Sequence, residues 1–96
     1  MNKSQSPRFP LGRTCATSGA LEAMEQASQS AEELFARHSA GDWGVVCAED
    51  RAANDAAVEQ GERILSAYLL PMTGVKLWII TEADRSVTTI LLPDEY

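Results

Sequence analysis

The sequence predicts an α+β domain in which N-terminal helices pack on a three-stranded antiparallel β-meander. Apolar residues recur at helical spacing before Gly61, and after it they alternate or run together as they do in strands. Turn residues separate the predicted elements, as in residues 71–74 (PMTG). Helices followed by strands along one chain are typical of the α+β class.

Capping residues predict where the first two helices begin. Ser18 precedes a short apolar stretch and is predicted to be the N-cap of a first helix. Ser30 and Glu33 have the spacing of a capping box, which predicts a second helix that starts near Ala31. Gly41 follows the last apolar position of this helix and is expected to end it.

A third helix is predicted from Ala48 to about Gln60, with Glu49 and Asp50 in its first turn and Gly61 after its end. Five of its residues are alanines, and four of them are expected to form a small face that packs closely on a neighbour. These four are Ala52, Ala53, Ala56 and Ala57.

Three strands are predicted over residues 63–70, 75–81 and 86–92, joined by short turns that imply antiparallel pairing. Both faces of the second strand are apolar, with Leu77 and Ile79 on one and Trp78 and Ile80 on the other. A half-solvated sheet has one polar face. We therefore expect the helices to cover one face and either a partner or a second copy to cover the other, so that a homodimer through the sheet is one prediction.

The length of 96 residues predicts a single domain, over residues 14–96, after a flexible arm at residues 1–13. The arm contains two prolines and few apolar residues. Phe9 and Leu11 are the arm residues expected to dock onto the domain.

The charge is unevenly distributed along the chain. Residues 14–62 carry ten acidic and two basic residues, whereas residues 1–13 carry three basic residues and no acidic one. Phosphate contact needs Lys and Arg, so the acidic part disfavours direct nucleic-acid binding. It would attract a basic protein partner, while the simpler interpretation is that it keeps the protein soluble.

The two cysteines, Cys15 and Cys47, lack metal-site spacing and are expected to be reduced thiols in the cytoplasm. They are also expected to be inert, because His38 is the only base that could activate them. The sequence has no apolar run long enough for a membrane span and no secretory signal, and it predicts neither a cofactor nor a membrane partner.

His38, the only histidine, is the candidate catalytic base, with Asp42 four residues later as its orienting carboxylate. Gly41 breaks that helical spacing, which favours a structural histidine near the helix end. Trp43 follows Asp42 in a glycine-bracketed turn. It is interpreted as an anchor over the core whose indole N–H bonds a backbone carbonyl, with ligand stacking as the alternative.

Two further groups of polar residues could form a binding site. Glu49, Asp50 and Asn54 could hold a divalent cation, but no calcium-loop pattern accompanies them, and acids that favour the helix dipole are the preferred interpretation. Glu82, Asp84 and Arg85 form a charged hairpin tip, for which an exposed turn is the preferred interpretation and a recognition loop the alternative.

Several segments resemble a family of small, mostly uncharacterised bacterial proteins carried largely on plasmids, integrated elements and phage-like islands. The most specific segments are residues 36–44 (ARHSAGDWG) and 80–89 (ITEADRSVTT). The resemblance also covers residues 9–13, 17–25, 49–54 and 90–96. The chain departs from the family pattern at residues 45–47, where polar and acidic residues are expected, and at Ser18, where proline is expected.

The resemblance implies a non-enzymatic protein of a mobile element that inhibits a host defence complex, of the CRISPR or restriction type, by binding it through acidic side chains. The partner expected is a protein that itself binds nucleic acid. The alternatives are an interaction module that uses the apolar sheet face around Trp78, and a small enzyme that uses His38 with Asp42 or Asp50. The predicted partner-binding residues are Glu32, Glu33, Asp42, Trp43, Glu49, Asp50, Asp55 and Glu59.

Overall fold

The computed structural model describes residues 6–96, which form three α-helices, a four-stranded sheet and a C-terminal 3-10 turn. In chain order the elements are β1 (Arg13–Ala16), α1 (Ser18–Gln26), α2 (Ala31–Ser39), α3 (Ala48–Gln60), β2 (Ile64–Leu69), β3 (Lys76–Thr81), β4 (Val87–Leu91) and the turn Pro93–Glu95. Within residues 6–96 no helix is long and apolar enough to span a membrane.

The sheet is mixed, so the α+β class is confirmed but the three-stranded antiparallel meander is wrong. The strand order is β1-β4-β3-β2, with β1 parallel to β4 and the other neighbours antiparallel. A strand therefore precedes the helices. Strand β1 has no clear sequence pattern, because it has only four residues and three of them are exposed. Parallel pairing needs a long crossover, which the helices help to supply.

The helix starts follow the capping residues with one correction. The N-cap of α1 is Thr17 rather than Ser18, since the Thr17 backbone is extended and its hydroxyl accepts a hydrogen bond from the Ala20 N–H at 3.1 Å. At α2 the predicted N-cap is confirmed, because the Ser30 hydroxyl accepts a hydrogen bond from the Glu33 N–H at 3.3 Å.

The bounds predicted for α3 are confirmed, and Gly61 adopts the left-handed conformation that ends many helices, with φ of 70°. The predicted alanine face is wrong. Ala57 is buried, but three of the alanines are exposed: Ala52, Ala53 and Ala56. The helix instead packs on the sheet through Asn54 and Ala57.

Residues 8–13 of the predicted arm are held on the domain, while residues 1–5 lie outside the described residues. The Arg8 N–H donates to the Ser39 carbonyl at 2.7 Å, and Phe9 is 5% exposed. Docking of Phe9 is thus confirmed. Arg13 belongs to β1.

The helices cover the sheet face that carries Leu77, Ile79 and Ile90, where the main core also includes Leu34 and Tyr68. Residues of the other face are covered to different degrees. Ile80 is 3% exposed and Trp78 is half-buried, with its ring 5.9 Å from the ring of Tyr96 at an interplanar angle of 69°. Leu69, on the same face, is 54% exposed.

The outer edge of β2 is covered by the chain itself. The Val45 N–H donates to the Ala67 carbonyl at 2.7 Å, and the Ala67 N–H donates to the Trp43 carbonyl at 3.1 Å. Gly44, between these two contacts, has φ of 75° and lies against the Ala67 carbonyl, where a side chain would collide.

Candidate functional site

His38 is the centre of a buried polar network that joins α2 to the sheet. The side chain is fully buried. Its Nδ1 lies 2.5 Å from the Ser66 hydroxyl on β2, and its Nε2 lies 2.8 Å from the Thr81 hydroxyl on β3. Both ring nitrogens therefore have a partner within the protein.

The network continues to the segment before β1, and its last hydrogen bond fixes the direction of the others. The Thr88 hydroxyl donates to the Leu11 carbonyl at 2.7 Å, which uses its only proton. The Thr81 hydroxyl, 2.7 Å away, must therefore donate to Thr88. Nε2–H of His38 then donates to Thr81, and Nδ1 accepts from Ser66. The imidazole is held as the neutral Nε2–H tautomer.

The charge state of His38 agrees with this hydrogen-bond order. Burial, together with a smaller contribution from the nearby positive charge of Arg85, lowers the pKa of His38 from 6.5 to about 3. Aromatic rings surround the imidazole, with the Phe9 centroid at 5.3 Å and the Trp43 centroid at 5.8 Å, both edge to face. A neutral imidazole suits this dry environment.

The candidate pair of His38 and Asp42 is not formed. The Asp42 carboxylate instead accepts a hydrogen bond from Nε of Arg37 at 2.7 Å, and this bond holds the pKa of Asp42 below its usual value. The other oxygen of Asp42 accepts from the Gly44 N–H at 3.2 Å. Asp50, the second carboxylate considered for His38, is exposed in the first turn of α3.

Trp43 is a buried anchor, 2% exposed, that stacks on Phe9 with centroids 6.1 Å apart. Its indole N–H donates to the Asp55 carboxylate at 3.0 Å, so the predicted bond to a backbone carbonyl is wrong. Asp55 also accepts a hydrogen bond from Arg8 at 3.1 Å. These bonds, that from Trp43 first, lower the pKa of Asp55.

The other predicted partner-binding acids are on the surface. Glu32 and Glu33 are exposed in the first turn of α2. Glu49 and Asp50 are exposed in the first turn of α3, and Glu59 is exposed near its end. Of the eight predicted residues, five therefore present surface carboxylates, of which Glu33 accepts a hydrogen bond from the Gln29 side chain at 3.2 Å. Asp42, Trp43 and Asp55 are engaged within the fold.

The possible cation site of Glu49, Asp50 and Asn54 is not assembled, because the Asn54 amide is bonded through its nitrogen and its oxygen to the backbone of Leu65. Among residues 6–96, no three His, Cys, Asp or Glu side chains are grouped to hold a metal ion. A cleft of about 230 Å³ does lie here between α3 and β2, lined by Asp50, Ala53, Asn54, Arg63 and Leu65.

Arg85 at the hairpin tip has a structural role that the sequence did not reveal. Its guanidinium donates to the Ala57 carbonyl in the last turn of α3 at 3.0 Å and to the Glu62 carbonyl at 2.7 Å. A cation there favours the negative end of the helix dipole. Glu82 and Asp84 in the same tip are exposed.

Both cysteines are exposed free thiols. Cys47 is the N-cap of α3, where its sulfur accepts from the Asp50 N–H at 3.4 Å. Cys15 lies in β1. His38 is buried within its own network, so neither exposed thiol is paired with it.

Sequence reasoning missed the three hydroxyls that surround His38. Ser66, Thr81 and Thr88 are each fully buried within apolar strands. A sequence signal exists, because each occupies a position that strand alternation assigns to the same side as Leu77 and Ile90. Buried hydroxyls need hydrogen-bond partners, and His38 is such a partner for Ser66 and Thr81.

No protein-family model, no curated protein and no solved structure matches the chain.

Proposed function

We propose that this protein is a non-catalytic binding protein of a mobile genetic element. It docks an acidic surface onto a basic, nucleic-acid-binding groove of a host defence complex of the CRISPR or restriction type. The class of partner comes from the family resemblance of residues 36–44 and 80–89. The proposed mode of docking rests on one structural observation, the acidic surface of α3.

The acids of α3 lie along one exposed helix of fixed geometry. Glu49 and Glu59 are ten residues apart, which is about 15 Å at the helical rise. Both are exposed, as is Asp50. Arg51 is the only basic residue of α3, and Arg8 offsets Asp55. A rigid acidic rod of this length complements a groove lined by Lys and Arg.

The histidine network supports a non-catalytic role. A general base must reach the proton of a substrate. His38 is fully buried, and its acceptor nitrogen already receives the Ser66 proton. His38 therefore orders the core and is not available to act on a substrate.

The test is capture of a partner by the tagged protein from lysate of a host that carries CRISPR and restriction systems. We expect a nucleic-acid-binding complex to be retained at low salt and lost at high salt, because screening shortens electrostatic attraction to about 10 Å at 0.1 M salt. Duplex DNA added as competitor should displace the complex.

The matched variants separate α3 from the rest of the acidic surface. Glu49→Lys with Glu59→Lys should abolish capture, whereas Glu22→Lys with Glu25→Lys on α1 makes the same change in net charge and should reduce capture far less. Equal loss in both variants would show that only net charge matters. Capture that resists high salt would contradict the proposal.

A further inference from the structure

The two edges of the sheet differ in how they are protected. At β2, Asn54 and the segment 43–45 satisfy the outward backbone groups of Leu65 and Ala67. At the opposite edge, β1 contacts β4 on one side, and its residues 13–15 are exposed. Open edges promote pairing with further strands, and proteins commonly block them. This molecule blocks one edge and presents the other.

The backbone bonds show which groups of β1 point away from the sheet. The Arg13 N–H donates to the Ser86 carbonyl, and the Thr17 N–H donates to the Ile90 carbonyl, both at 3.0 Å. Backbone groups of residues two apart in a strand point the same way, so the N–H and C=O of Cys15 also face β4. The N–H and C=O groups of Thr14 and Ala16 therefore point outward.

We propose that a second copy of this chain pairs with this edge, β1 against β1 in antiparallel orientation, about a two-fold axis at Cys15. Thr14 of each copy then faces Ala16 of the other and exchanges both backbone hydrogen bonds with it. Four hydrogen bonds form, and the two sheets become one continuous sheet of eight strands.

Charge complementarity favours a second copy as the occupant. In this register Arg13 of one copy lies opposite Thr17 of the other. The Thr17 hydroxyl is bonded to the Glu95 carboxylate, so each exposed Arg13 approaches a Glu95 of the opposite copy. The symmetry doubles this attraction, as expected for an interface in which the same patch meets itself.

The register determines the distance between the Cys15 residues of the two copies. The two Cys15 residues form a pair without mutual backbone hydrogen bonds, for which the Cα atoms are about 4.5 Å apart. Disulfides need a Cα separation of about 4.4–6.8 Å. Cys15 is an exposed free thiol, so it reports directly on the register.

The experiment measures the mass of the full chain by sedimentation from about 1 µM to about 1 mM, a range suited to a weak interface of this size. Oxidised glutathione is then added to a Cys47→Ser background. Two Cys15 thiols become one disulfide, and the oxidant is reduced to two molecules of glutathione. A concentration-dependent dimer that crosslinks through Cys15 is expected. Cys15→Ser should abolish the crosslink and keep the dimer.

Two variants test the edge itself. Thr14→Pro removes an outward N–H and leaves the bonds to β4, so it should give a folded monomer, with folding checked by circular dichroism. Arg13→Glu leaves the backbone intact and should weaken the dimer about tenfold or more, because Glu95 of the second copy then repels it. Leu69→Asp, on the sheet face, is the control and should dimerise normally.

A monomer at all concentrations would overturn the proposal. A dimer that persists in both Thr14→Pro and Arg13→Glu, or that is lost in Leu69→Asp alone, would also overturn it and would place the contact on the sheet face.

Discussion

The side-chain amide of Asn54 bonds both backbone groups of Leu65. Its Nδ2 donates to the Leu65 carbonyl at 2.7 Å, and its Oδ1 accepts from the Leu65 N–H at 3.2 Å. This is the pairing that another strand would make. A single residue of α3 thus closes the edge of β2 at Leu65, beside the contacts of Trp43 and Val45 with Ala67, and holds the helix along that edge.

Loss of this amide should destabilise the protein. Asn54 is only 6% exposed. Asn54→Ala leaves the outward N–H and C=O groups of Leu65 without a partner, so we expect a loss of about 2–4 kcal/mol in the free energy of unfolding. Urea unfolding measures it. Ala53→Ser, one residue earlier on the exposed side, is the control and should change stability little. Similar losses in the two variants would contradict the structural role of Asn54.

The buried hydroxyl of Thr88 should contribute more to the free energy of unfolding than the hydroxyl of the next residue, Thr89. Thr88→Val removes the donor to the Leu11 carbonyl and the acceptor for Thr81, so a loss of about 1–3 kcal/mol is expected. Thr89→Val changes the next residue of the same strand, which is half-buried on the other sheet face. It should be nearly neutral in thermal unfolding. Equal effects would argue against the directed network.

Stability should depend on pH through His38. Its pKa is lowered from 6.5 to about 3, so below pH 6.5 the unfolded chain binds a proton that the folded protein does not. Stability from this residue is thus fully present above pH 6.5 and falls as the pH is lowered towards 3, by up to about 1.4 kcal/mol per pH unit.

The measurement is the free energy of unfolding between pH 5 and pH 6.5, a window above the range where most carboxylates titrate. His38→Gln removes the titrating group, and its stability should be nearly flat across this window. Parallel slopes for the two proteins would show that His38 is not buried as a neutral base. The comparison of slopes holds even when the variant is less stable overall.

Glycine should be required at position 44 for two reasons. Its φ is 75°, and an added Cβ would collide with the Ala67 carbonyl. Gly44→Ala should therefore cost more than about 2 kcal/mol, the sum of left-handed strain and displacement of the edge contact. Gly74 has φ of 71° with open space around it, so Gly74→Ala should cost only about 1 kcal/mol. Equal losses in thermal unfolding would rule out the close approach.

Local chemistry made much of the fold predictable. The helix bounds from Ala48 to Gln60 and the Ser30 cap follow from residues adjacent in sequence, since a cap bonds the N–H three residues later. The apolar alternation around Leu77 and Ile79 likewise predicted a buried strand. Strand β1 was not predicted, because a short exposed strand has no apolar pattern and is defined only by its pairing with β4.

The candidate site was less predictable because its contacts join distant residues. His38 was identified as noteworthy, but its neighbours Ser66 and Thr81 are 28 and 43 residues away. Asp42, close in sequence, is instead bonded to Arg37. Proximity along the chain therefore did not identify the hydrogen-bond partners of His38.

The sequence by itself determined the α+β class, the Ser30 cap of α2, the bounds of α3 and the acidity of residues 14–62, because these depend on composition and on local spacing. Only the tertiary structure decided that β1 is a parallel edge strand, that His38 is neutral and buried, and that Asn54 closes the other edge. Those features depend on burial and on pairing between residues far apart in the chain. Neither is encoded in the pattern of neighbouring residues.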